Sequence, residues 1–342
     1  MPLKAAIAGV INGRNLTFEE AEAAMNTIMS GEATQAQIGS YLTALRMKGE
    51  TVGEIAGSAK SMRAHVVSVK LPMTEMGSMI VDTCGTGGDG KHTFNISTTA
   101  AFVVAGYGVK VAKHGNRAAS SKSGSADVLM ALGGNLSLTP EQVAECVAEV
   151  GIGFLYAIHH HPAMKYAIGP RREIGQRTIF NVLGPLTNPA GATHQLIGVY
   201  APSLTEPLAR VLGTLGSKAA YVVHGADGLD ELSTTGVNQV SYLHDGLVTT
   251  SVMDPADLGL ATASIDDLLG GEPAENAQIM HDILSGKETG PKRDIVLLNA
   301  AAALSIDCGD MKAGLAEARE SIDTGQALRT LEAWVKMTNR FK

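Results

Sequence analysis

Between Val81 and Thr98 the sequence reads VDTCGTGGDGKHTFNIST: a short apolar run, four glycines within six residues, then a turn of hydroxyl and amide side chains. An apolar helix candidate begins at Thr99. A strand, a backbone-rich loop and a helix start can hold an anion with main-chain N–H groups and the helix dipole. A second run, VAKHGNRAASSKSGSADVL from Val111 to Leu129, repeats the idea with cationic side chains added. From Gly90 to Ala126 there is no Asp or Glu, whereas Lys91, Lys110, Lys113, Arg117 and Lys122 all fall inside. In a chain of formal net charge −7, this 37-residue window carries +5. Such a concentration points to a phosphorylated ligand.

The glycine run GTGGDG (Gly85 to Gly90) also fits the G-x-G-x-x-G spacing of a dinucleotide fold. That fold needs an acidic residue ~20 positions further on for the ribose hydroxyls. This chain has Lys113-His114 there, so a dinucleotide site is disfavoured, and no Gly-Lys-Ser/Thr follows at Walker A spacing. A tight turn without a ligand needs the glycines, but not the polar set Asp89, Thr93, Asn95, Ser97 and Thr98 behind them. In KHGNRAASSKSGSAD, cations of one sign alternate with serines and glycines, a composition suited to phosphate oxygens. HGADGLDELS, His224 to Ser233, brings Asp227, Asp230 and Glu231 after an apolar run. Mg²⁺ takes one or two carboxylates plus phosphate oxygens. A solvated acidic turn would look similar, and the phosphate-type loops elsewhere favour the metal. His159 to His161 do not share one helix face and have no H-E-x-x-H setting, so they are not read as metal ligands. Arg171 could bind a carboxylate bidentately or stand as a surface charge; its residue type leaves both open.

The elements that must position these residues fall into two patterns. Up to about residue 72 the chain reads as three to four short helices. Capping boxes at Thr17–Glu20, Thr34–Gln37 and Thr51–Glu54 each precede apolar residues at helical spacing. Beyond them, strand candidates Ile80–Cys84, Val109–Lys113, Gly134–Leu136, Ile152–Tyr156, Gln195–Tyr200, Ala219–His224 and Gln239–Leu243 alternate with helices. The helices are expected at Thr99–Gly106, Ala126–Leu132, Pro140–Val150, Thr205–Leu215, Ala274–Leu284, Asp294–Ser305 and, as one long element, Met311–Met337. Alternation of this kind implies an α/β fold: a small helical domain plus a large α/β domain with a mainly parallel central sheet and helices on both faces. The helical domain is expected over 1–72, joined by about 161–187, and the α/β domain over 73–342.

Composition is that of an ordinary globular protein, at 45% hydrophobic and 18% charged residues. The acidic balance and 4% aromatic content argue against a general nucleic-acid or membrane-surface binder. Three cysteines without CxxC spacing suit a reducing cytoplasm, and no run approaches the ~18 apolar residues of a membrane span.

Taken together, GTGGDG, TFNIST, AKHGNRAASSKSGSADVL, HPAMK, RTIFNVLGPLTNP and VVHGADGLDELS resemble the anthranilate phosphoribosyltransferase family, in its order and spacing and over most of the chain. The resemblance implies a nucleoside phosphorylase/phosphoribosyltransferase-like fold and a homodimer formed through the helical domains. It implies transfer of the phosphoribosyl group of phosphoribosyl pyrophosphate to the amino group of anthranilate, in tryptophan biosynthesis, with Mg²⁺ at two ions per subunit. Phosphoribosyl pyrophosphate would be held by Gly85, Gly88, Asp89, Thr93, Asn95, Ile96, Ser97 and Thr98. Lys113, His114, Gly115, Asn116, Arg117, Ala118, Ala119, Ser120, Ser121 and Ser125 would complete that set. Ser97, Asp230 and Glu231 would hold the metal; Gly85, Asn116 and Arg171 would contact anthranilate, with His114 and His161 lining its approach. Met130 stands where relatives usually carry Glu, and Pro170 directly precedes Arg171. No acid/base catalyst is assigned. A nucleoside phosphorylase would lack the DGLDE turn, and a sensor of phosphorylated ligands would bind without turnover.

Overall fold

The structure is a computed structural model that describes residues 2–72, 79–118 and 122–342. Its first four helices are α1 (Pro2–Ile11), α2 (Phe18–Met29), α3 (Gln35–Lys48) and α4 (Val52–Ala64). All three expected capping boxes form, with Thr17, Thr34 and Thr51 each accepting from the backbone N–H of the third helical residue. Glu54 does more than close its box. Fully buried, it also accepts from Leu16 N at 2.9 Å and Lys48 Nζ at 2.9 Å, tying three segments of the bundle together.

The α/β part runs β1 (Ile80–Gly85), α5 (Ile96–Tyr107), β2 (Lys110–Gly115), α6 (Ser125–Ala131), α7 (Pro140–Val150) and β3 (Ile152–Tyr156). The chain then leaves the sheet through α8 (Ala157–His160), α9 (Lys165–Ile174) and α10 (Phe180–Leu183). It returns as β4 (His194–Gly198), α11 (Thr205–Thr214), β5 (Ala219–His224), β6 (Asn238–His244) and β7 (Leu247–Met253). Four helices close it: α12 (Pro273–Leu284), α13 (Pro291–Leu304), α14 (Met311–Asp323) and α15 (Gln326–Asn339). The seven strands lie in the order β3-β2-β1-β4-β5-β6-β7, parallel through β5 and antiparallel thereafter.

Strand alternation divides the core in two. Leu196, Tyr221 and Val223 face a cluster built on α5, α13 and α15, whereas Ile197, Ala220 and Val222 face α11, α4 and the helical bundle. The N-terminal helices therefore do not rely on a second copy for a core, because the sheet's second face supplies one. Ala167, Phe180 and Leu183, from the 161–187 segment, are buried in that same cluster. The expected boundary between 72 and 73 abuts residues outside the described set.

Three expectations need correction. Gly134–Leu136 is not a strand: the backbone N–H of Asn135 donates to Thr338 Oγ1, so this stretch spends its hydrogen bonds on α15 rather than on a ladder. The long C-terminal helix is two helices, because Gly325 takes φ 74° and breaks it. One strand was absent from the expected set. β7 is an edge strand whose side chains are mostly exposed, so it shows no buried/exposed alternation. Its hairpin turn, Asp245 at φ 50° and Gly246 at φ 74°, is nevertheless a type I′ Asp-Gly signal.

Candidate active site

β2 and β3 extend the sheet to one side of β1, and β4 and β5 to the other. Loops leaving the carboxyl ends of β1 and its neighbours therefore diverge, which is where open α/β sheets bind ligands. A cavity of about 550 Å³ lies there, lined by the loops after β1 and β2, the start of α5, and Asp230 and Glu231 from the loop after β5.

The loop after β1 turns on Gly87, Gly88 and Gly90, at φ 72°, 79° and 72°. These left-handed positions are the reason for the glycine run. Gly85, Gly88, Asp89, Thr93 and Asn95 all line the cavity, as do Ile96, Ser97 and Thr98 in the first turn of α5. Ile96 is buried, which leaves its main chain as the part facing a ligand. Asn95 precedes the helix without capping it by its side chain. Its Nδ2 donates to Ser123 O at 3.1 Å, and its Oδ1 accepts from Asn276 Nδ2 at 3.0 Å, linking the two ligand loops to α12.

Lys113, His114 and Gly115 end β2, and Asn116, Arg117, Ala118 and Ser125 follow along the same cavity. Ala119, Ser120 and Ser121 lie outside the described residues. Lys113 is not a solvated loop cation. It is buried, its Nζ donates to Thr83 O, and it lies close enough to Asp82 and Glu231 to pull both carboxyls toward ionisation. Arg117 is turned toward α6, with Nη2 3.7 Å from Met130 Sδ and Nε 3.9 Å from Asp127 Oδ1. Asp127 closes the loop by accepting from Ala118 N at 3.0 Å and Gly124 N at 2.9 Å. Ser125 Oγ donates to Asn116 O at 3.1 Å.

Asp230 and Glu231 are adjacent buried carboxylates. Asp230 Oδ2 accepts from Gly87 N at 2.5 Å, and Glu231 Oε1 accepts from Ser97 N at 3.2 Å at the start of α5. Burial pushes both carboxyls up, reinforced for Asp230 by Glu231 and Asp89 beside it. Neither forms an ion pair among the described residues. Two adjacent buried acids, with Lys113 near Glu231 as the one cation acting on it and the Ser97 side chain hydrogen-bonded to Glu231, make an environment that a divalent cation would complete. Among the described residues no three His, Cys, Asp or Glu side chains form a closed metal cage. Two carboxylates with the remaining positions open is a donor set that fits Mg²⁺ shared with phosphate oxygens.

The segment between β3 and β4 is tied at two points to residues that line the cavity. At one, His161 Nε2 meets His114 Nε2 at 3.1 Å. At the other, Arg177 Nη2 donates to Gly88 O and its guanidinium stacks 4.0 Å over the Tyr200 ring. Arg171 lies between them on α9, stacked 5.1 Å over Phe180 and outside the cavity lining; burial lowers its pKa. Arg177 is a contact that sequence reasoning missed, since nothing in RREIGQR separates it from its neighbours.

Asp82 and Asn188 were missed too. Asp82, wholly buried in β1, accepts from His114 N at 3.0 Å and from Asn188 Nδ2 at 2.8 Å; Asn188 Nδ2 also donates to Ala112 O at 2.8 Å. Burial raises the Asp82 carboxyl, and Lys113 lowers it. This clamp ties β1, β2 and the chain entering β4 together below the ligand loops. Asn188→Ala strips the donor from a buried carboxylate, so a loss of about 1–3 kcal/mol in urea unfolding is expected, with a higher KM for the phosphorylated substrate. Unchanged values for both would show that the clamp does not hold the loops.

A helical bundle beside a switch-point sheet, with two backbone loops facing paired carboxylates, defines a class of protein built to bind a phosphorylated ligand with a divalent cation. Family models agree: residues 77–328 match the glycosyl transferase family α/β domain and residues 4–66 its helical bundle domain. An anthranilate phosphoribosyltransferase of Symbiobacterium thermophilum is 56% identical over 342 residues, covering 99% of each chain. The crystal structure of the same enzyme from Thermus thermophilus superposes with a TM-score of 0.92 at 42% identity, over 98% of this chain and 99% of that one. That from Saccharomyces cerevisiae in complex with phosphoribosyl pyrophosphate and Mg gives 0.89 at 31% identity, over 99% and 98%. The chain belongs to the anthranilate phosphoribosyltransferase family.

Proposed function

We infer that this chain transfers the phosphoribosyl group of phosphoribosyl pyrophosphate to the amino group of anthranilate, giving N-(5-phosphoribosyl)anthranilate and pyrophosphate in tryptophan biosynthesis. The observation that carries this reading is the cavity in which the loop from Gly85 to Thr98 and the residues Lys113 to Ala118 and Ser123 to Ser125 face Asp230 and Glu231. The loops offer N–H donors to phosphate oxygens, and Ser97, Asp230 and Glu231 would hold Mg²⁺, two ions per subunit. Bound there, Mg²⁺ would supply charge neutralisation to the departing pyrophosphate. The chain's own work is to orient the sugar and to present fixed donors where negative charge grows as the bond at sugar C1 breaks. Gly85, Asn116 and Arg171 would orient anthranilate, with Arg171 reaching its carboxylate once the α9 segment moves over the cavity.

Mixing the protein with anthranilate, phosphoribosyl pyrophosphate and Mg²⁺ should quench anthranilate fluorescence as product forms. No quenching at micromolar protein would sink the reading.

We place the enzyme in the cytoplasm, on its free cysteines Cys84, Cys146 and Cys308. No helix among the described residues is long and apolar enough to cross a membrane. We also infer a homodimer through the helical bundle, because Ile11 and Met47 are large apolar side chains left 66% and 84% exposed on it. Met47→Glu should shift sedimentation toward the monomer with little change in fold, and an unshifted profile would remove Met47 from the interface.

A further inference from the structure

We propose that Arg177 is a positioning residue for the phosphorylated substrate: it sets the backbone of the glycine loop without touching the ligand. The inference deepens the phosphoribosyl-transfer reading above and rests on it. It starts from the backbone donors of the loop after β1. Thr86 N donates to Gly198 O at 2.9 Å, Gly87 N to Asp230 Oδ2 at 2.5 Å and Lys91 N to Asp89 Oδ1 at 3.1 Å. Between them, the N–H groups of Gly88, Asp89 and Gly90 have no partner among the described residues, and all three residues line the cavity. Consecutive free N–H groups in a turn that passes through left-handed conformations form a concave site for anion oxygens.

Such a nest works only if its peptide planes hold still. Gly88, at φ 79° and preceded by Gly87, has no side chain to resist rotation of the peptide plane that follows it. Arg177 supplies that resistance. Its Nη2 donates to Gly88 O, and a trans peptide points its C=O and its N–H in opposite directions. Holding Gly88 O therefore also aims the N–H of Asp89, away from Arg177. Gly88 and Asp89 line the cavity and Arg177 does not, so the N–H is the end of this peptide turned inward.

The guanidinium is itself held. It stacks 4.0 Å over the Tyr200 ring, and Tyr200 N donates to Thr86 Oγ1 at 3.2 Å. The ring that supports Arg177 is thereby anchored to the same loop, just before Gly88. A flat cation between a ring face and a carbonyl oxygen uses the planar fork of arginine, which the ammonium of lysine lacks. Arg177 is exposed and outside the cavity lining, so neither core packing nor direct ligand contact explains its place. Its removal leaves the loop's bonds to Asp230 and Gly198 intact but frees the Gly88–Asp89 peptide to turn over. The binding-competent loop is then only part of the population, and apparent affinity falls by that fraction.

The test uses the full chain with Mg²⁺. Arg177→Ala should raise the KM for phosphoribosyl pyrophosphate by about tenfold, the worth of one charged hydrogen bond, with kcat and the KM for anthranilate within about threefold of wild type. The calorimetric Kd for phosphoribosyl pyrophosphate should rise by the same factor. Arg177→Lys should resemble Arg177→Ala, because the charge is kept and the stacked fork is not. Tyr200→Leu leaves the charge untouched and should raise the same KM by at least about threefold. An Arg177→Ala KM for phosphoribosyl pyrophosphate within about threefold of wild type, full recovery in Arg177→Lys, or an equal rise in both KM values would each overturn the proposal. A wild-type protein that does not consume anthranilate would instead overturn the reading of the reaction. The calorimetric comparison tests the clamp independently of turnover.

Discussion

Asp230→Asn combined with Glu231→Gln is expected to raise the Mg²⁺ concentration for half-maximal activity by about tenfold or more, and to lower kcat by about 10²-fold. The same change should raise the melting temperature of the Mg²⁺-free protein. The two effects share one cause. Both carboxylates are buried side by side, and burial already drives both toward their neutral forms. Without a cation they cost the fold the desolvation of two like charges. The amide replacements keep the size of the groups and their oxygens can still accept from Gly87 N and Ser97 N, so the backbone contacts survive. What disappears is negative charge, which a divalent ion needs; Lys113 keeps Asp82 as its buried counter-charge. A Mg²⁺ titration that matches wild type would contradict the metal assignment. A lowered melting temperature would mean that the carboxylates stabilise the loop by some route other than the two backbone bonds.

Much of this site was legible from residue types, because its chemistry is carried by backbone and by charge. A loop that must run through left-handed conformations needs glycine at Gly87, Gly88 and Gly90, and that requirement is visible as a run of letters. The capping boxes were legible for a similar reason: each is a local exchange of two hydrogen bonds over four residues. Long-range partners were not legible. Asn188 reaches Asp82 across 106 residues of chain, and Arg177 reaches Gly88 across 89. Neither residue carries a local pattern that announces its partner. Lys113 has a second tie that its place in a cationic run did not announce: it lines the cavity, yet it is buried with its Nζ on Thr83 O, near enough to Asp82 and Glu231 to favour their ionised forms. β7 escaped because an exposed edge strand has no buried face to imprint a period on its sequence.

Gly198→Ala should be the single smallest substitution with the largest effect. Gly198 ends β4, beside Gly85 at the end of β1, and its backbone oxygen accepts from Thr86 N at 2.9 Å. A Cβ added there would fall well inside contact distance of the backbone oxygen and carbon of Asp230. The obstacle is main chain, so no rotamer change relieves it. The loop after β5 must move outward, taking Asp230 and Glu231 with it and opening the Gly87 N and Ser97 N bonds. Overpacking against backbone costs about 1–3 kcal/mol, to be read as a lower urea midpoint. The displaced carboxylates should lower kcat by about 10²-fold and raise the Mg²⁺ requirement together, since misplacing a site by about 1 Å typically costs that much. Gly85→Ala is the internal comparison. Its Cβ would meet chiefly the Asp230 side chain, with the Asp230 backbone oxygen 2.9 Å away. Its activity should fall in the same way, with a smaller loss of stability than Gly198→Ala. If Gly198→Ala instead kept the wild-type Mg²⁺ requirement while losing stability, the β4 end would be a packing contact only. The close approach of β4 to the acidic loop would then play no part in setting the metal ligands.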